Sequence, residues 1–557
     1  MSTSVRNRIP PVSRLGRPSG RGRSLAGVAI ATAVLVVLPL APGLLVTDRS
    51  AAGTPGLVGI PGESLLIVLL VVIVPWRALR RVLAGIFGAL VTTALVFGGI
   101  DRGFRATVGT PFALVDWPQL GSAYGVVVDA VGVFLAELIL LGLLCAILGC
   151  ATVLAWAALR VADAVRGHVA GRGVIAGLAV LWLVVGVVAP PPAGAPLAAS
   201  ASVGSLETAV SQTERVLAAQ AAIARAIADD PFTDVPSDRL LAGLWGKDVV
   251  IAFVESYGRV ALEGPGIAEG VTDALRAGNA SLAAEGYSAR SAWLTSPTYG
   301  GLSWLAHATL QTGVWTPTQS AYDQLVASDR LSLSRAFGDA GWRTVSDVPS
   351  DSEPWRIGSS FYRYDSLIDA RDVGYRGPGF GYARIPDQFT LKHFADTELA
   401  GPHDPVMAEI DLVSSHTPWA PLPQLVPWEQ IGDGSVYDPQ PGQSQSAGTV
   451  WQSAKTVQRF YGESVQYSLG SLFSFLGHVD DPNLVVIVLG DHQPAAIVSG
   501  AGASRDVPIS VIARDPSVFT AIDDWGWTPG LRPGDGSPVW RMDAFRDRLL
   551  TAFGDKP

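Results

Sequence analysis

The chain has 557 residues, a positive mean hydropathy and only 16% charged residues, a balance that is unusual for a soluble protein and indicates a membrane component. Its formal net charge is −9, with arginines concentrated in the first 23 residues and carboxylates after about residue 228, which argues against nucleic acid as a partner. The two cysteines, Cys145 and Cys150, both lie in an apolar run, so a disulfide framework and a thiolate metal site are excluded.

Five apolar stretches precede residue 200, and each is about long enough to cross a ~30 Å hydrocarbon core as a helix. Arginines lie before the first stretch, between the second and third, and between the fourth and fifth, so these segments are expected to be cytoplasmic. An odd number of spans then carries everything after Pro190 across the membrane. We therefore expect a multi-pass cell-membrane protein with a cytoplasmic N-terminus. The five stretches are Leu25–Val46, Leu57–Trp76, Val82–Ile100, Val126–Ala158 and Val174–Ala193.

The composition changes after the fifth stretch. An Ala-rich helical pattern from about Leu206 to Asp229 indicates a linker helix, and short β-branched runs alternate with helical segments from Lys247 onward. This alternation predicts an α/β domain with a mostly parallel central sheet. We thus divide the chain into a basic tail (1–24), a five-helix transmembrane region (25–195), a linker helix (196–246) and an extracytoplasmic catalytic domain (247–557).

The clearest predicted elements of this domain are four strands and three helices. The strands are Val249–Val254, Met407–Val413, Leu484–Leu489 and Val507–Ala513, and the helices lie near Thr272–Glu285, Leu331–Ala340 and Ser453–Leu476.

Polar residues follow three of these strands directly. Glu255 follows the first, the segment containing His416 follows the second, and Asp491 and His492 follow the third. Because ligands of open α/β sheets bind beyond the carboxyl ends of the strands, we expect these side chains to lie together. Carboxylates and an imidazole suit Zn, Mn or Mg, and a hydroxyl could complete the group as a nucleophile.

Three segments resemble a known superfamily. DVVIAFVESY (Asp248–Tyr257) is similar to the opening strand of the sulfatase-like branch of the alkaline phosphatase superfamily, and VVIVLGDHQP (Val485–Pro494) to its late metal-binding strand. SWLAHATLQTG (Ser303–Gly313) ends like the nucleophile segment of the nucleotide pyrophosphatase branch, whose nucleophile precedes the final glycine by ten residues. With five spans before the outer domain, the chain resembles lipoteichoic acid synthase and related phosphoglycerol transferases.

The resemblance implies one divalent metal ion, which is commonly manganese in those enzymes and could be Mn, Mg or Zn here. It implies Glu255, Ser303, Asp491 and His492 as the metal ligands, with Ser303 as the nucleophile. It further implies that four residues bind the substrate. These are His416, Trp355, Arg356 and an aspartate, either Asp351 or Asp347. His416 is also a candidate catalytic residue, because His416 and Arg356 could bind the phosphate or protonate the leaving group.

The sequence departs from the family at several positions. The transferases use threonine as the nucleophile, so Thr298 competes with Ser303. Leu305 and His307 replace the proline and arginine of the sulfatase modification motif, which disfavours sulfate-ester hydrolysis. A single acid, Glu255, stands where many relatives have a pair, which favours one metal ion over two.

These observations predict a metal-dependent enzyme that transfers a phosphoryl or phosphodiester group of a membrane lipid or a lipid-linked or wall-linked glycopolymer through a covalent phospho-enzyme. One alternative is a phosphodiester or sulfate-ester hydrolase of the same superfamily. Another is a membrane scaffold without catalysis that binds the cell envelope.

Overall fold

The computed structural model describes residues 20–45, 60–107, 111–117, 120–121, 124, 132–188, 198–199 and 201–554. The chain divides into two compact units, which are described separately. The first comprises Met1–Gly103 and Leu120–Gln212, and the second comprises Phe104–Gln119 and Thr213–Pro557.

Apolar helices occur in the first unit at all five predicted positions. They are Gly20–Leu40, Gly62–Ile73, Arg77–Thr107, Val133–Arg166 and Val169–Val188, with a short turn of helix at Pro42–Leu45. Among the described residues, Arg77–Arg105 and Val133–Arg166 are long and apolar enough to cross a membrane by length and composition, and the other three are shorter. Two candidate spans therefore stand where five were expected, and the five-span topology stays a prediction.

The longest helix, Val133–Arg166, keeps most of its apolar surface outside the protein core. Only 6% of its most apolar window is buried. Folded proteins rarely expose so much contiguous apolar surface to water, so we expect this helix to contact an apolar environment. Arg80 and Asp163 form an ion pair. Two of the three basic segments that were predicted to be cytoplasmic, those around Arg80 and after Asp163, therefore lie at the same end of this unit.

The predicted linker helix is present as Ala201–Ala228, somewhat longer toward its N-terminus than its sequence pattern indicates. A two-residue strand, β1 (Ile60–Pro61), pairs in parallel with β2 (Ala198–Ala199) in the first unit.

The second unit contains a nine-stranded sheet. Its strands are β3 (Val249–Val254), β4 (Ser288–Thr295), β5 (Arg343–Val348), β6 (Ser366–Asp369), β7 (Val406–Leu412), β8 (Val485–Gly490), β9 (Asp506–Ala513), β10 (Thr528–Pro529) and β11 (Val539–Arg541). The order is β10-β4-β9-β8-β3-β7-β5-β6, and β11 also pairs with β4. Only β9 and β10 run antiparallel to their neighbours, so the sheet is mostly parallel as predicted.

The central strand β3 is apolar on both faces because helices cover the sheet on both sides. Val250, Ala252 and Val254 belong to one core, while Val249, Ile251 and Phe253 belong to the other. The first core is covered mainly by helices Ala268–Ala284, Asp387–Thr397 and Ala454–His478, and the second by Ser303–Thr312, Leu333–Asp339 and Ala544–Phe553.

Shorter helices complete the second unit. They are Ser237–Leu240, Val260–Glu263, Gln319–Val326, Gln440–Gln443, Ala447–Val450, Ala496–Ser499 and Pro516–Ala521.

Candidate functional site

The predicted metal ligands converge at the carboxyl ends of β3 and β8. These strands are adjacent and in parallel register, so Glu255 and Asp491 emerge side by side from Val254 and Gly490. His492 Nε2 lies 3.5 Å from Glu255 Oε1 and 3.3 Å from Asp491 Oδ2. Each of the three residues offers one ligating atom, and these atoms lie within 4.8 Å of one another.

Ser303 completes this group from the first turn of a helix. The preceding turn uses left-handed backbone at Gly300 (φ 72°) and Leu302 (φ 65°), which directs the first helical residue toward the strand ends. Ser303 Oγ donates a hydrogen bond to Glu255 Oε2 at 3.0 Å and lies 3.2 Å from His492 Nε2. A hydroxyl, two carboxylates and an imidazole thus converge at one point.

The backbone around these ligands holds them in fixed orientations. The amide groups of Ser256 and His492 both donate to Asp491 Oδ1 at 2.7 Å. His492 Nδ1 is 2.9 Å from the carbonyl oxygen of Gln493, which leaves Nε2 directed at the carboxylates. Asp491 Oδ2 is buried and has no hydrogen-bond partner among the described residues. Because such an oxygen is costly to leave alone, the donor set fits a divalent cation.

Burial and charge act on the two carboxyl groups in opposite ways. Burial alone raises the pKa of Glu255, but the positive charges of His492 and His416 outweigh it and lower that pKa to about 2. Burial raises the pKa of Asp491 to about 6, and the neighbouring Glu255 carboxylate adds to this rise. A divalent cation beside both groups would favour the ionised form of each.

A cavity of about 450 Å³ opens in front of Ser303. Three predicted substrate-binding residues, Asp351, Trp355 and His416, line it together with Ser303 and Glu255. The imidazole of His416 stacks on the ring of Tyr382 with 3.6 Å between centroids. Trp355 lies against Tyr362 and Tyr364. The cavity therefore combines the candidate nucleophile with aromatic and polar walls.

Three other candidates lie apart from this group. Arg356 is exposed and is not among the described residues that line the cavity, although its neighbour Trp355 is. Thr298 is buried and its hydroxyl lies 3.4 Å from Ser296 Oγ, with no contact to the predicted ligands among its described hydrogen bonds. Asp347 is fully buried, and Asp351 rather than Asp347 lines the cavity.

Two acids that the sequence analysis passed over also line the cavity. Glu409 and Asp411 lie on β7, two residues apart, and face His307. Their signal in the sequence is an alternation of acid and apolar residues inside a strand that is otherwise buried, Glu409-Ile410-Asp411-Leu412. A strand presents alternate residues to the same face, so both acids point to one side.

The chain is similar to several solved structures. The lipoteichoic acid synthase LtaP from Listeria monocytogenes is 15% identical, covers 57% of this chain and 74% of its own, and has a TM-score of 0.34. The Streptococcus pyogenes phosphoglycerol transferase GacH, in complex with sn-glycerol-1-phosphate, is 12% identical over 60% of this chain and 92% of its own, with a TM-score of 0.35.

The lipooligosaccharide phosphoethanolamine transferase A (EptA), an integral membrane protein from Neisseria meningitidis, is 12% identical over 94% of this chain and 99% of its own, with a TM-score of 0.41. No protein-family model and no curated protein matches the chain. At these identities and TM-scores, the similarity assigns no activity to this chain.

Proposed function

We propose that the second unit transfers a phosphoryl or phosphodiester group with Ser303 as the nucleophile, and that Glu255, Asp491 and His492 hold one divalent cation beside it. The observation that carries this proposal is the position of Ser303 Oγ, 3.0 Å from Glu255 Oε2 and 3.2 Å from His492 Nε2, at the mouth of a cavity. A serine hydroxyl is a weak nucleophile unless its surroundings favour its ionised form.

The cation would supply Lewis-acid chemistry, because a bound divalent ion favours ionisation of a ligating hydroxyl and offsets charge on phosphoryl oxygens. The buried Asp491 Oδ2, without a hydrogen-bond partner among the described residues, supports its presence. Manganese, magnesium and zinc all accept this ligand set.

The residues support a two-step transfer. In the first step, Ser303 Oγ forms a bond to phosphorus while the bond from phosphorus to the leaving oxygen breaks. The serine proton passes to Glu255 Oε2, which accepts its hydrogen bond at 3.0 Å. His416, which lines the cavity, is the proposed donor of the proton that converts the departing oxygen into an alcohol. In the second step, an acceptor hydroxyl displaces Ser303 and restores its hydroxyl.

His416 and Trp355 are proposed to position the substrate. Both line the cavity, and the stacking of His416 on Tyr382 limits the orientations of the imidazole. Asp351 is proposed to accept a hydrogen bond from a substrate hydroxyl, since it also lines the cavity. Arg356 is exposed, so a role for it would require contact with a part of the substrate outside the cavity.

We further propose that the substrates are membrane lipids or lipid-linked or wall-linked glycopolymers at the outer side of the cell membrane. The long, largely unburied apolar helix Val133–Arg166 supports membrane insertion. Tethering the second unit to a membrane raises its effective concentration toward other membrane-bound molecules. A phosphoglycerol donor is the first candidate because of the sequence resemblance.

The proposal is tested with the full chain in detergent, using bis-p-nitrophenyl phosphate with added manganese, magnesium or zinc. Metal-dependent release of nitrophenol that is lost in Ser303→Ala and in Glu255→Gln, but retained in Thr298→Ala, is expected. A metal-free and inactive wild type would instead favour the scaffold. Release that does not depend on an added alcohol acceptor would favour the hydrolase.

A further inference from the structure

A second group of ligating side chains lies in the same cavity and is not used by the proposed reaction. It consists of His307, Glu409 and Asp411, each of which offers one ligating atom within 4.8 Å of the others. His307 Nδ1 is 3.0 Å from Glu409 Oε1 and 3.6 Å from Asp411 Oδ1. His307 follows Ser303 by one helical turn, so both side chains project from the same face of their helix.

The carboxylate of Glu409 is held in place by neutral donors. Tyr364 Oη donates to Glu409 Oε2 at 3.0 Å, and the Gln311 side-chain amide donates to the same oxygen. Oε1 is left to face the imidazole of His307, whose ring is stacked on Phe253 at 3.7 Å. Metal ligands are commonly fixed by hydrogen bonds of this kind to their outer atoms.

One oxygen of the group lacks a hydrogen bond. Asp411 lines the cavity, and its Oδ1 atom is buried and has no hydrogen-bond partner among the described residues. A protonated His307 would satisfy Glu409 at 3.0 Å, but at 3.6 Å it is too far from Asp411 to donate a normal hydrogen bond. A buried polar oxygen without a hydrogen bond destabilises the fold, and a cation between the three ligands would remove that cost.

The charged groups that line the cavity also favour a second cation. Four carboxyl groups and two imidazoles, those of His307 and His416, line it, and none of the described residues that line it is lysine or arginine. One cation beside Ser303 offsets negative charge on the Glu255 side of the cavity only. A phosphodiester is itself an anion, so a second cation would favour its approach to Glu409 and Asp411.

We propose that His307, Glu409 and Asp411 form a second divalent-cation site in the cavity. Two carboxylates and one imidazole suit Mn²⁺ or Zn²⁺. This site goes beyond the proposed function, which uses a single ion, and it stands whether or not Ser303 is the nucleophile.

The test counts bound metal and does not depend on activity. Metal-free full chain in detergent is titrated with Mn²⁺ alone by calorimetry, and the bound metal is counted after equilibrium dialysis. Two equivalents are expected for the wild type and one each for Asp411→Asn and Glu255→Gln. Asp351→Asn removes the same charge from the same cavity outside both ligand sets, so it should keep two.

A second variant, Tyr364→Phe, keeps the test informative if Asp411→Asn does not fold. Tyr364→Phe removes one donor to Glu409 and should weaken only one of the two Mn²⁺ affinities, by about 10-fold. A wild type that binds one equivalent, lost in Glu255→Gln and kept in Asp411→Asn, would overturn the second site and leave the proposed function intact. A wild type whose single equivalent is lost only in Asp411→Asn would instead contradict the proposed site at Glu255.

Discussion

Gly490 is the residue at which the smallest change should disturb the site most. It ends β8 directly before Asp491, and a Cβ atom added to it would lie 1.9 Å from the carbonyl oxygen of Tyr257 and 2.7 Å from its carbonyl carbon. Carbon and oxygen atoms that are not bonded need more than 3 Å, so one of the two segments must move by over about 1 Å. Tyr257 is two residues from Glu255, and Gly490 is adjacent to Asp491. The ligands would therefore separate.

We expect Gly490→Ala to lower diesterase turnover by about 10²-fold, because a displacement of 1 Å has effects of that size. The overpacking should also lower the free energy of unfolding by about 1–3 kcal/mol. Turnover, Mn²⁺ affinity and thermal unfolding of the full chain check this. Gly477→Ala is the matched control, since nothing lies within 4 Å of its added Cβ. Wild-type Mn²⁺ affinity and turnover in Gly490→Ala would show that the contact with Tyr257 does not position the ligands.

Three further predictions concern the nucleophile, the metal and a buried carboxyl group. Thr298→Ala should keep turnover within about threefold, since a buried hydrogen bond of a hydroxyl is worth about 1 kcal/mol and none of the described hydrogen bonds joins Thr298 to the ligands. Chelation should lower the thermal midpoint, and Mn²⁺ at 100 times its Kd should restore about 2.7 kcal/mol of stability. Burial raises the pKa of Asp387 to about 6, so its contribution to stability is present below about pH 4 and is lost as pH rises through 6. Asp387→Asn should therefore reduce the fall in thermal midpoint between pH 5 and 7.5, by an amount equivalent to at most about 1.4 kcal/mol, whereas exposed Asp524→Asn should not.

The strands that could be predicted from the sequence are those buried on both faces. β3 was predicted with its observed bounds, and the bounds of β7, β8 and β9 differ by at most one residue at each end, because each strand is rich in apolar residues and nearly all of its residues are buried. β4 was not predicted because polar residues interrupt it. Its buried Ser291 is satisfied across the sheet by Ser510 Oγ at 2.6 Å, a partner 219 residues away that no local pattern reveals.

The same distinction applies to the candidate site. Glu255, Asp491 and His492 directly follow predicted strands, so strand order and register bring them together. Ser303 could be located only through the resemblance, because its position depends on an irregular turn and not on a periodic element. Glu409 and Asp411 were missed because they lie inside β7 and not at its end. The role of an acid inside a strand becomes apparent only when the residues that pack against the same face of the sheet are known.

The proposed function depends above all on the attack of Ser303 Oγ on phosphorus. The most direct measurement is peptide mass spectrometry of the full chain after rapid acid quenching of its reaction with bis-p-nitrophenyl phosphate and Mn²⁺. Because one nitrophenolate leaves and the other stays on phosphorus, we expect a p-nitrophenylphosphoryl ester on the peptide that contains Ser303. This ester should be absent after chelation and absent in Ser303→Ala. An ester on Thr298 in the wild type, or turnover that survives Ser303→Ala, would contradict the proposed attack by Ser303.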